Sequence, residues 1–471
     1  MSFASVAFLF YFLPATAAVF FAFGFSRRAQ NAWLFLAGIG FCAFGDPALS
    51  LVLLASVCVC TALGLLVERA RLRGCGPRAA GALACAFPLV LLFFVRCLPD
   101  AGAAGGLADA ADAAGPALPF MRPLFIAFFT LQALSYLLDI ARGEARAERN
   151  PVFVGLSVAF FPRLLAGPVL RHRDIAPCLR ARRVTWEDFS GGVCRFAAGL
   201  GKTALLAYPL RQAADYAFRM SAADGDTGIS VALAWAGLAA YALQLFHGFA
   251  GCSDMAVGLS RMFGFTAKEN FDFPYAALSL TDFWRRWHIS LSDWFREYLW
   301  PLAGERADAE TDGGRATRRS LVVWLCIGLW HGAAVTQVVW AVWHFFLLTA
   351  ERVTRLDRRS VPGLLRRLYV LTAVGIGWIF FRAPDSASAF AYLRAAFGLS
   401  QNALADDAAL MLLREYWPVF LAGALFSAPL ARALCGSPSP RAAAVLRALA
   451  LTAVFFGSLL SLVRAGGVIW A

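Results

Sequence analysis

The sequence contains few charged residues. They make up 15% of the 471 residues, whereas soluble domains have about 25%. Apolar, aromatic and cysteine residues together reach 60%, against about 45–50% in a soluble domain by a similar count. This composition excludes a soluble multidomain enzyme, a disordered chain and a secreted module held by disulfides. An internal repeat is also lacking, which argues against a transporter because many transporters contain one.

Lysine is nearly absent as well. Lys202 and Lys268 are the only lysines, so arginine supplies almost all of the positive charge behind the net value of +13. A basic chain can indicate nucleic-acid binding, but these arginines lie beside apolar segments and form no basic domain. In a membrane protein that pattern marks the cytoplasmic ends of the spans. We therefore expect the lipid bilayer, and no nucleic acid, as a partner.

The cysteines and the N-terminus exclude two further classes. The 11 cysteines include no C-x-x-C pair, so we interpret them as small buried hydrophobic residues and expect no metal site. The apolar residues 3–25 have no basic residue before them, and the first positive charges, Arg27 and Arg28, follow them. A cleaved signal peptide has the reverse order. We expect a retained span that leaves Arg27 and Arg28 in the cytoplasm.

Apolar blocks alternating with arginine-rich or acidic loops predict an all-α polytopic membrane protein. A block of about 20 apolar residues can cross a bilayer. On this basis we expect about ten transmembrane helices, with re-entrant and amphipathic helices around a central chamber, in one membrane domain over residues 1–471. The expected spans are 3–25, 31–67 (two spans divided at Gly45-Asp46-Pro47), 81–98, 118–141, 188–210, 229–250, 368–381, 416–434 and 443–465. The acidic loops at 99–117 and around Asp215, Asp224 and Asp226 should lie outside the cell membrane.

Two segments break this alternation. Residues 152–170 are apolar but interrupted at Pro162-Arg163 and Gly167-Pro168. Arginines flank both ends of this segment, which predicts that both ends lie in the cytoplasm. A re-entrant hairpin satisfies both observations, since non-helical backbone at membrane depth must be covered by protein or line a wet cavity. Residues 320–350 have the same flanks. We expect two short helices there that meet near Gly332-Ala333-Ala334.

Four of the five histidines fall between residues 241 and 346. The segment 281–300 has Phe283, Trp287, Leu291, Trp294 and Tyr298 at helical spacing, which predicts an amphipathic helix at the cytoplasmic interface or packed into the protein. His288 lies on this segment beside Trp287. Its position fits a functional imidazole and an interfacial polar cap about equally well.

His331 lies in the middle of an apolar block and is followed by small residues. Small residues let a substrate or another backbone approach closely. Burial keeps an imidazole neutral, which is the state that a general base requires. The alternative is a buried histidine that only bonds to a carbonyl; a functional role is the favoured interpretation because ionisable groups at membrane depth are costly.

Several long motifs, in order along the chain, resemble the membrane-bound O-acyltransferase (MBOAT) family. They are FFPRLLAGPVLRH (160–172), SDMAVGLSRMFGFTAKENFDFPY (253–275), FWRRWHISLSDWFREYL (283–299), GLWHGA (328–333) and GWIFFRAPDSASAFAYL (377–393). The nearest branch is the bacterial one that includes the alginate O-acetyltransferase membrane subunit and the teichoic-acid D-alanyl transfer protein. The resemblance covers a catalytic core at 150–395 and extends to the first 150 residues only in hydropathy.

This resemblance implies an O-acyltransferase of the bacterial inner membrane. The family moves an acyl group from a cytoplasmic thioester, such as acetyl-CoA, to a hydroxyl of a glycan, lipid or protein, and needs no bound cofactor. His331 matches the catalytic histidine of L-W-H-G, and His288 matches the second functional histidine of R-R-W-H-I-S. The remaining expected donor-binding or substrate-binding residues are Arg285, Arg286, Trp287, Trp330, Ser253 and Asp254. For Arg285 and Arg286, positive-inside flanking charge is an equal alternative.

The chain departs from the family pattern at QLFHGFAGCSD (244–254), where Gly248, Ala250 and Cys252 replace the usual Asp, Ser and Tyr. PLAGER (301–306) likewise stands where P-L-G-G-N-R is common. These departures question alginate as the acceptor. From the resemblance, transfer of acetyl to an exported polysaccharide, directly or through a periplasmic transferase, is the leading hypothesis. Three alternatives remain: acyl transfer to lipid or peptidoglycan, a transporter with a histidine proton relay, and a structural export subunit that has lost catalytic activity.

Overall fold

Helices form nearly all of the regular structure. The computed structural model describes residues 1–97, 118–165, 167–223, 228–300, 313–332, 334–355, 361–429 and 440–469. In chain order the α-helices are α1 (Leu13–Ala22), α2 (Arg27–Gly45), α3 (Pro47–Leu72), α4 (Pro77–Cys97), α5 (Leu118–Arg142), α6 (Pro151–Ala159), α7 (His172–Ala181), α8 (Trp186–Gly201), α9 (Tyr208–Ala223), α10 (Val231–Met262), α11 (Leu280–Arg286), α12 (Ile289–Trp294), α13 (Gly313–His331), α14 (Val335–Thr354), α15 (Gly363–Arg382), α16 (Ser386–Ala396), α17 (Asp407–Phe426) and α18 (Pro440–Arg464). Within these ranges the only β-pairing is an isolated bridge between Ser5 and Val468.

Six helices in the described part are long and apolar enough to cross a membrane. They are α3, α5 (over Phe125–Arg142), α10, α15, α17 and α18 (over Val445–Arg464), and shorter apolar helices cover Phe8–Ala22, Ala79–Leu92 and Pro151–Arg163. The predicted all-α, multi-pass membrane class is thereby confirmed. The total of about ten spans stays a prediction. The loop at 99–117, Asp224, Asp226 and the segment 301–306 lie outside the described residues.

The break predicted at Gly45-Asp46-Pro47 separates α2 from α3. Asp46 is extended (φ −157°), and its side chain accepts hydrogen bonds from the backbone N–H groups of Ala48 and Leu49 at 3.0 and 3.2 Å. Pro47, which has no N–H to satisfy, occupies the first helical position. The aspartate thus satisfies N–H groups that have no carbonyl partner within the helix.

The chain divides into two compact units. The first comprises residues 1–200, 252–268 and 462–470, and the second comprises residues 201–251, 269–461 and 471. The single domain predicted over 1–471 stays a prediction.

The first unit has a core of phenylalanine rings, among them Phe8, Phe41 and Phe161, whose centroids lie 5.9–6.3 Å apart. Helix α6 ends at Ala159, and a 3-10 turn follows over Phe161–Arg163. The buried Arg163 Nη2 donates to the carbonyls of Leu156 and Ser157 at 2.9 and 3.0 Å. The interruption predicted at Pro162-Arg163 is therefore confirmed, and Arg163 satisfies carbonyls at the end of α6.

The second unit has a core of aromatic and aliphatic residues from α9, α10 and α11 and from α13 to α17. Helices α13 and α14 form a hairpin whose connection begins after His331. They have 19 and 20 residues, so the prediction of two helices is confirmed but the prediction that they are short is wrong. His331 ends α13, so the apolar block around it is divided between two helices. Asp215, predicted in an outer loop, lies in α9, where it pairs with Arg382.

The segment 281–300 was expected to form one amphipathic helix, and this prediction is wrong. Helix α11 ends at Arg286 and α12 begins at Ile289, because His288 adopts a left-handed backbone (φ 46°, ψ 55°) that interrupts the helix. The apolar positions were predicted correctly. All five of them are buried: Phe283, Trp287, Leu291, Trp294 and Tyr298.

Candidate active site

His331 is the last residue of α13 and is half-buried among aromatic rings. Its ring centroid lies 4.8 Å from that of Trp330, 5.2 Å from Trp340 of α14 and 5.1 Å from Phe381 of α15. Close approach of α13 and α14 places these rings together. A Cβ on Gly328 would lie 2.8 Å from the Cβ of Ala341, so a larger residue would separate the two helices. The imidazole therefore lies at a helix end with apolar rings around it.

Gln337, in the first turn of α14, places a polar side chain next to Gly332, the residue that follows His331. Its Nε2 donates to the carbonyl of Phe381 at 3.0 Å, which joins α14 to the end of α15. Its Oε1 is buried and has no partner among the described residues. A Cβ on Gly332, the residue after His331, would lie 3.5 Å from Gln337 Cγ. Gln337 was not predicted as a site residue, although it is a polar residue six positions after His331 in an apolar block.

His344, one of the four clustered histidines, is fully buried against tryptophan rings. The centroids of Trp284, Trp324 and Trp340 lie 4.9–5.6 Å from its own. Its Nδ1–H donates to the Trp340 carbonyl at 2.9 Å. A Cβ on Gly377 would lie 2.4 Å from His344 Cε1, so the glycine is required for this packing. His344 thus supports Trp340, the ring that also contacts His331.

His288 is buried between α11 and α12, and the segment 270–272 holds the backbone on both sides of it. The Ile289 N–H donates to the Asn270 carbonyl at 2.8 Å, and the Asp272 N–H donates to the Arg286 carbonyl at 3.1 Å. Asn270 Oδ1 accepts from the N–H and the hydroxyl of Ser290 at 3.1 and 2.8 Å. These bonds fix a left-handed conformation that is unfavourable for a residue other than glycine.

Burial lowers the pKa of the His288 imidazole to about 4. The side chain is therefore neutral between about pH 5 and 8. A neutral imidazole can accept or donate one proton in a hydrogen bond but cannot attract phosphates as a cation. Its ring centroid lies 5.7 Å from Phe271 and 6.3 Å from Phe249.

Replacing Asn270 with alanine is expected to lower thermal stability and to displace His288. The variant loses both bonds to Ser290, one of them to a buried backbone N–H, and such losses cost about 1–3 kcal/mol each. The Ser290→Ala variant keeps the bond from its backbone N–H to Asn270 Oδ1 and should be affected less. Thermal unfolding of the purified proteins in detergent gives the midpoint of each, which should fall from wild type to Ser290→Ala to Asn270→Ala. Equal midpoints for wild type and Asn270→Ala would show that Asn270 does not hold this turn.

The two arginines next to His288 differ in their environment. Arg286 Nε donates to Asp282 Oδ1 at 2.9 Å, whereas Arg285 is exposed and has no ion pair within the described ranges. Trp287 is buried, and its ring lies 5.1 Å from Trp378. Trp378 in turn lies 5.6 Å from Phe381, the ring that contacts His331. A continuous row of rings thus connects the neighbour of His288 to His331.

Ser253 and Asp254 belong to the first unit, whereas the other predicted site residues belong to the second. Ser253 is buried. Asp254 Oδ1 accepts from Arg195 Nε at 2.8 Å and also lies 2.5 Å from Nη2. One carboxylate oxygen of Asp254 is therefore already held by two nitrogens of Arg195. Whether these two residues bind substrate stays a prediction.

His247, which we assigned no role from the sequence, lies in α10 of the second unit and is fully buried. Its Nε2–H donates to the Gly423 carbonyl of α17 at 2.9 Å, and the Ser427 hydroxyl lies 3.2 Å from the same nitrogen. His247 thus joins two helices. Among the described residues no group of three His, Cys, Asp or Glu side chains could hold a metal ion.

The comparison with protein families matches residues 156–382 to the MBOAT, membrane-bound O-acyltransferase family. The chain is 40% identical over 289 residues to the probable alginate O-acetylase AlgI of Azotobacter vinelandii, covering 60% of this chain and 55% of the relative. It is 32% identical over 315 residues to the peptidoglycan O-acetyltransferase of Helicobacter pylori, covering 60% and 58%. It is 25% identical over 237 residues to the teichoic acid D-alanyltransferase of Bacillus subtilis, covering 48% and 58%. The chain thus spans little more than half the length of these relatives.

Proposed function

Because residues 156–382 match the model of the membrane-bound O-acyltransferase family, we propose that this multi-pass membrane protein is an O-acyltransferase of the bacterial inner membrane. It moves an acyl group, with acetyl as the favoured one, from a cytoplasmic thioester to a hydroxyl of an exported polysaccharide or of a periplasmic partner. The observation that carries the proposal is the position of His331 at the end of α13, among three aromatic rings.

His331 acts as the general base in this reaction. It takes the proton of the acceptor hydroxyl while the hydroxyl oxygen attacks the thioester carbonyl carbon. A C–O bond forms, the C–S bond breaks, and the thiolate leaves with the proton that His331 releases. The products are an ester and a free thiol. Trp330, Trp340 and Phe381 limit the access of water, which would otherwise hydrolyse the activated donor.

Polar groups near the two histidines position the substrates. Gln337 Oε1, which is buried without a partner in the described part of the chain, accepts a hydrogen bond from a second hydroxyl of the acceptor. His288 orients the donor as a neutral hydrogen-bonding group. Arg285 is free to contact donor phosphates, whereas Arg286 is already paired with Asp282. The donor is a co-substrate, and the proposal includes no bound cofactor.

The acceptor is proposed from the relatives. Their names specify alginate, peptidoglycan and teichoic acid. Identity is 40% to the alginate relative and 32% to the peptidoglycan relative, so we favour an exported polysaccharide over peptidoglycan.

Deletion of the gene should remove base-labile acetate from the exported polysaccharide fraction of the cells. Acetate released by mild alkali is measured separately in the polysaccharide, peptidoglycan and lipid fractions. Expression of the wild-type chain restores the ester, and expression of a His331→Gln chain does not. Loss from peptidoglycan or lipid alone would contradict the proposed acceptor. An unchanged ester content in all three fractions would contradict the proposed activity.

A further inference from the structure

A cavity of about 590 Å³ in the first unit is lined by none of the residues assigned a role above. One wall is the chain segment after α5, and the other is α7. The lining residues that carry charge or can titrate are Glu144, Arg146, Glu148, Arg149, His172, Arg173 and Arg180. Arginines therefore outnumber carboxylates two to one around this cavity.

Both carboxylates of the cavity are already neutralised by arginines of α7. Arg173 pairs with Glu144, and it also lies 3.9 Å from Asp139. Arg180 Nη2 lies 2.5 Å from Glu148 Oε2. Arg146 and Arg149, in contrast, are exposed and have no carboxylate partner among the described residues. Two guanidinium groups in one concave wall are thus available to an anion.

The backbone that carries these two arginines is fixed by hydrogen bonds. The Ala147 N–H donates to Glu68 Oε1 at 3.2 Å, and the Glu148 N–H donates to the Tyr136 hydroxyl at 3.0 Å. The Arg149 N–H donates to Glu148 Oε1 at 3.0 Å. A site whose backbone is already ordered loses less conformational entropy when a ligand binds.

His172 forms a neutral inner wall of the cavity. Ser157 Oγ donates to the Phe153 carbonyl at 2.9 Å, so the 2.7 Å contact with His172 Nδ1 is a bond that the imidazole donates. The Tyr136 ring lies 4.9 Å from the imidazole. Burial lowers the pKa of His172 to about 4, so the positive charge of the cavity comes from its arginines.

We propose that this cavity binds a phosphate group, with Arg146 and Arg149 as its ligands. Guanidinium groups bind phosphate through two parallel N–H bonds. The arginine-rich loops place these residues on the cytoplasmic side, where the phosphates come from anionic lipid headgroups or from soluble phosphate compounds. Basic pockets beside membrane helices on this side bind lipid headgroups in the same way. The cavity volume leaves room for more than a single phosphate.

The experiment compares wild type with an Arg146→Gln/Arg149→Gln variant. An Arg69→Gln/Arg73→Gln variant is the matched control, because it removes the same charge from the same predicted side, at arginines that do not line the cavity. In the first arm, the proteins are reconstituted in vesicles of phosphatidylcholine and phosphatidylglycerol and extracted with detergent. Native mass spectrometry then counts the phosphatidylglycerol molecules that each protein retains. In the second arm, binding of inorganic pyrophosphate is titrated in phosphatidylcholine nanodiscs. Thermal unfolding verifies that all variants are folded.

We expect the cavity variant to lose phosphatidylglycerol retention or pyrophosphate affinity by at least about tenfold, since bonds to charged groups are strong, while the control keeps both. Loss in the first arm identifies the lipid as the source, and loss in the second identifies a soluble phosphate. An Arg146→Lys/Arg149→Lys variant keeps the charge and should retain part of the binding. Equal binding by wild type and cavity variant in both arms, or an equal loss in the control, would overturn the proposal.

Discussion

A His331→Gln protein is expected to be folded and to transfer acyl groups about 10² to 10⁴ times more slowly than wild type, the range that a positioned general base contributes. Glutamine retains a polar side chain of similar length at the end of α13 but cannot take a proton near neutral pH. Trp330, Trp340 and Phe381 keep their packing positions. Ester formation on the polysaccharide, measured with isotope-labelled acyl donor in isolated membranes, gives the rate.

The matched control is His247→Gln. It removes a fully buried histidine of the second unit, which joins α10 to Gly423 of α17, and glutamine can donate the same bond. This variant should transfer acyl groups at a rate close to wild type. A His331→Gln protein with wild-type activity would exclude His331 as the base.

Replacing His288 with asparagine should lower acyl transfer by about 10-fold to 100-fold and leave the fold intact. Asparagine adopts the left-handed conformation more readily than most residues other than glycine, so the backbone between α11 and α12 is retained. If His288 orients the donor, the loss appears as a higher KM for the thioester together with a lower kcat. Initial rates at varied donor concentration separate the two parameters.

A His288→Ala variant separates backbone strain from chemistry. Alanine in a left-handed conformation adds about 1–2 kcal/mol of strain, so this variant should unfold at a lower temperature than His288→Asn. Acyl transfer should be low in both. Wild-type kinetics in His288→Asn would contradict a role for the imidazole and leave His288 as a turn residue only.

Hydropathy and helix-breaking residues predicted much of the architecture. The boundary at Asp46, the interruption at Pro162-Arg163 and the α13–α14 pair follow from proline, glycine and the length of apolar blocks, which act locally. An apolar face with Phe283, Leu291 and Tyr298 was also predicted, either at the cytoplasmic interface or packed into the protein. In the structure all three side chains are buried.

The interruption at His288 could not be predicted from local pattern. The left-handed turn depends on Asn270 and Asp272, which come from a segment that pairs with residues 286–290 only in the fold. The role of Gln337 likewise depends on the carbonyl of Phe381 in another helix. Long-range hydrogen bonds of this kind leave no periodic signal in the sequence.

Direct transfer of the acyl group from a thioester to a hydroxyl, with His331 as the base, is tested by quantifying both products of one reaction. Isolated membranes that contain the wild-type or the His331→Gln chain receive acetyl-CoA and the exported polysaccharide, and free thiol and new ester are quantified together. Equal amounts of thiol and ester are expected with wild type, and neither product is expected above background with His331→Gln. Ester formation that persists in the His331→Gln membranes, or wild-type membranes that move substrate without releasing thiol, would contradict this mechanism.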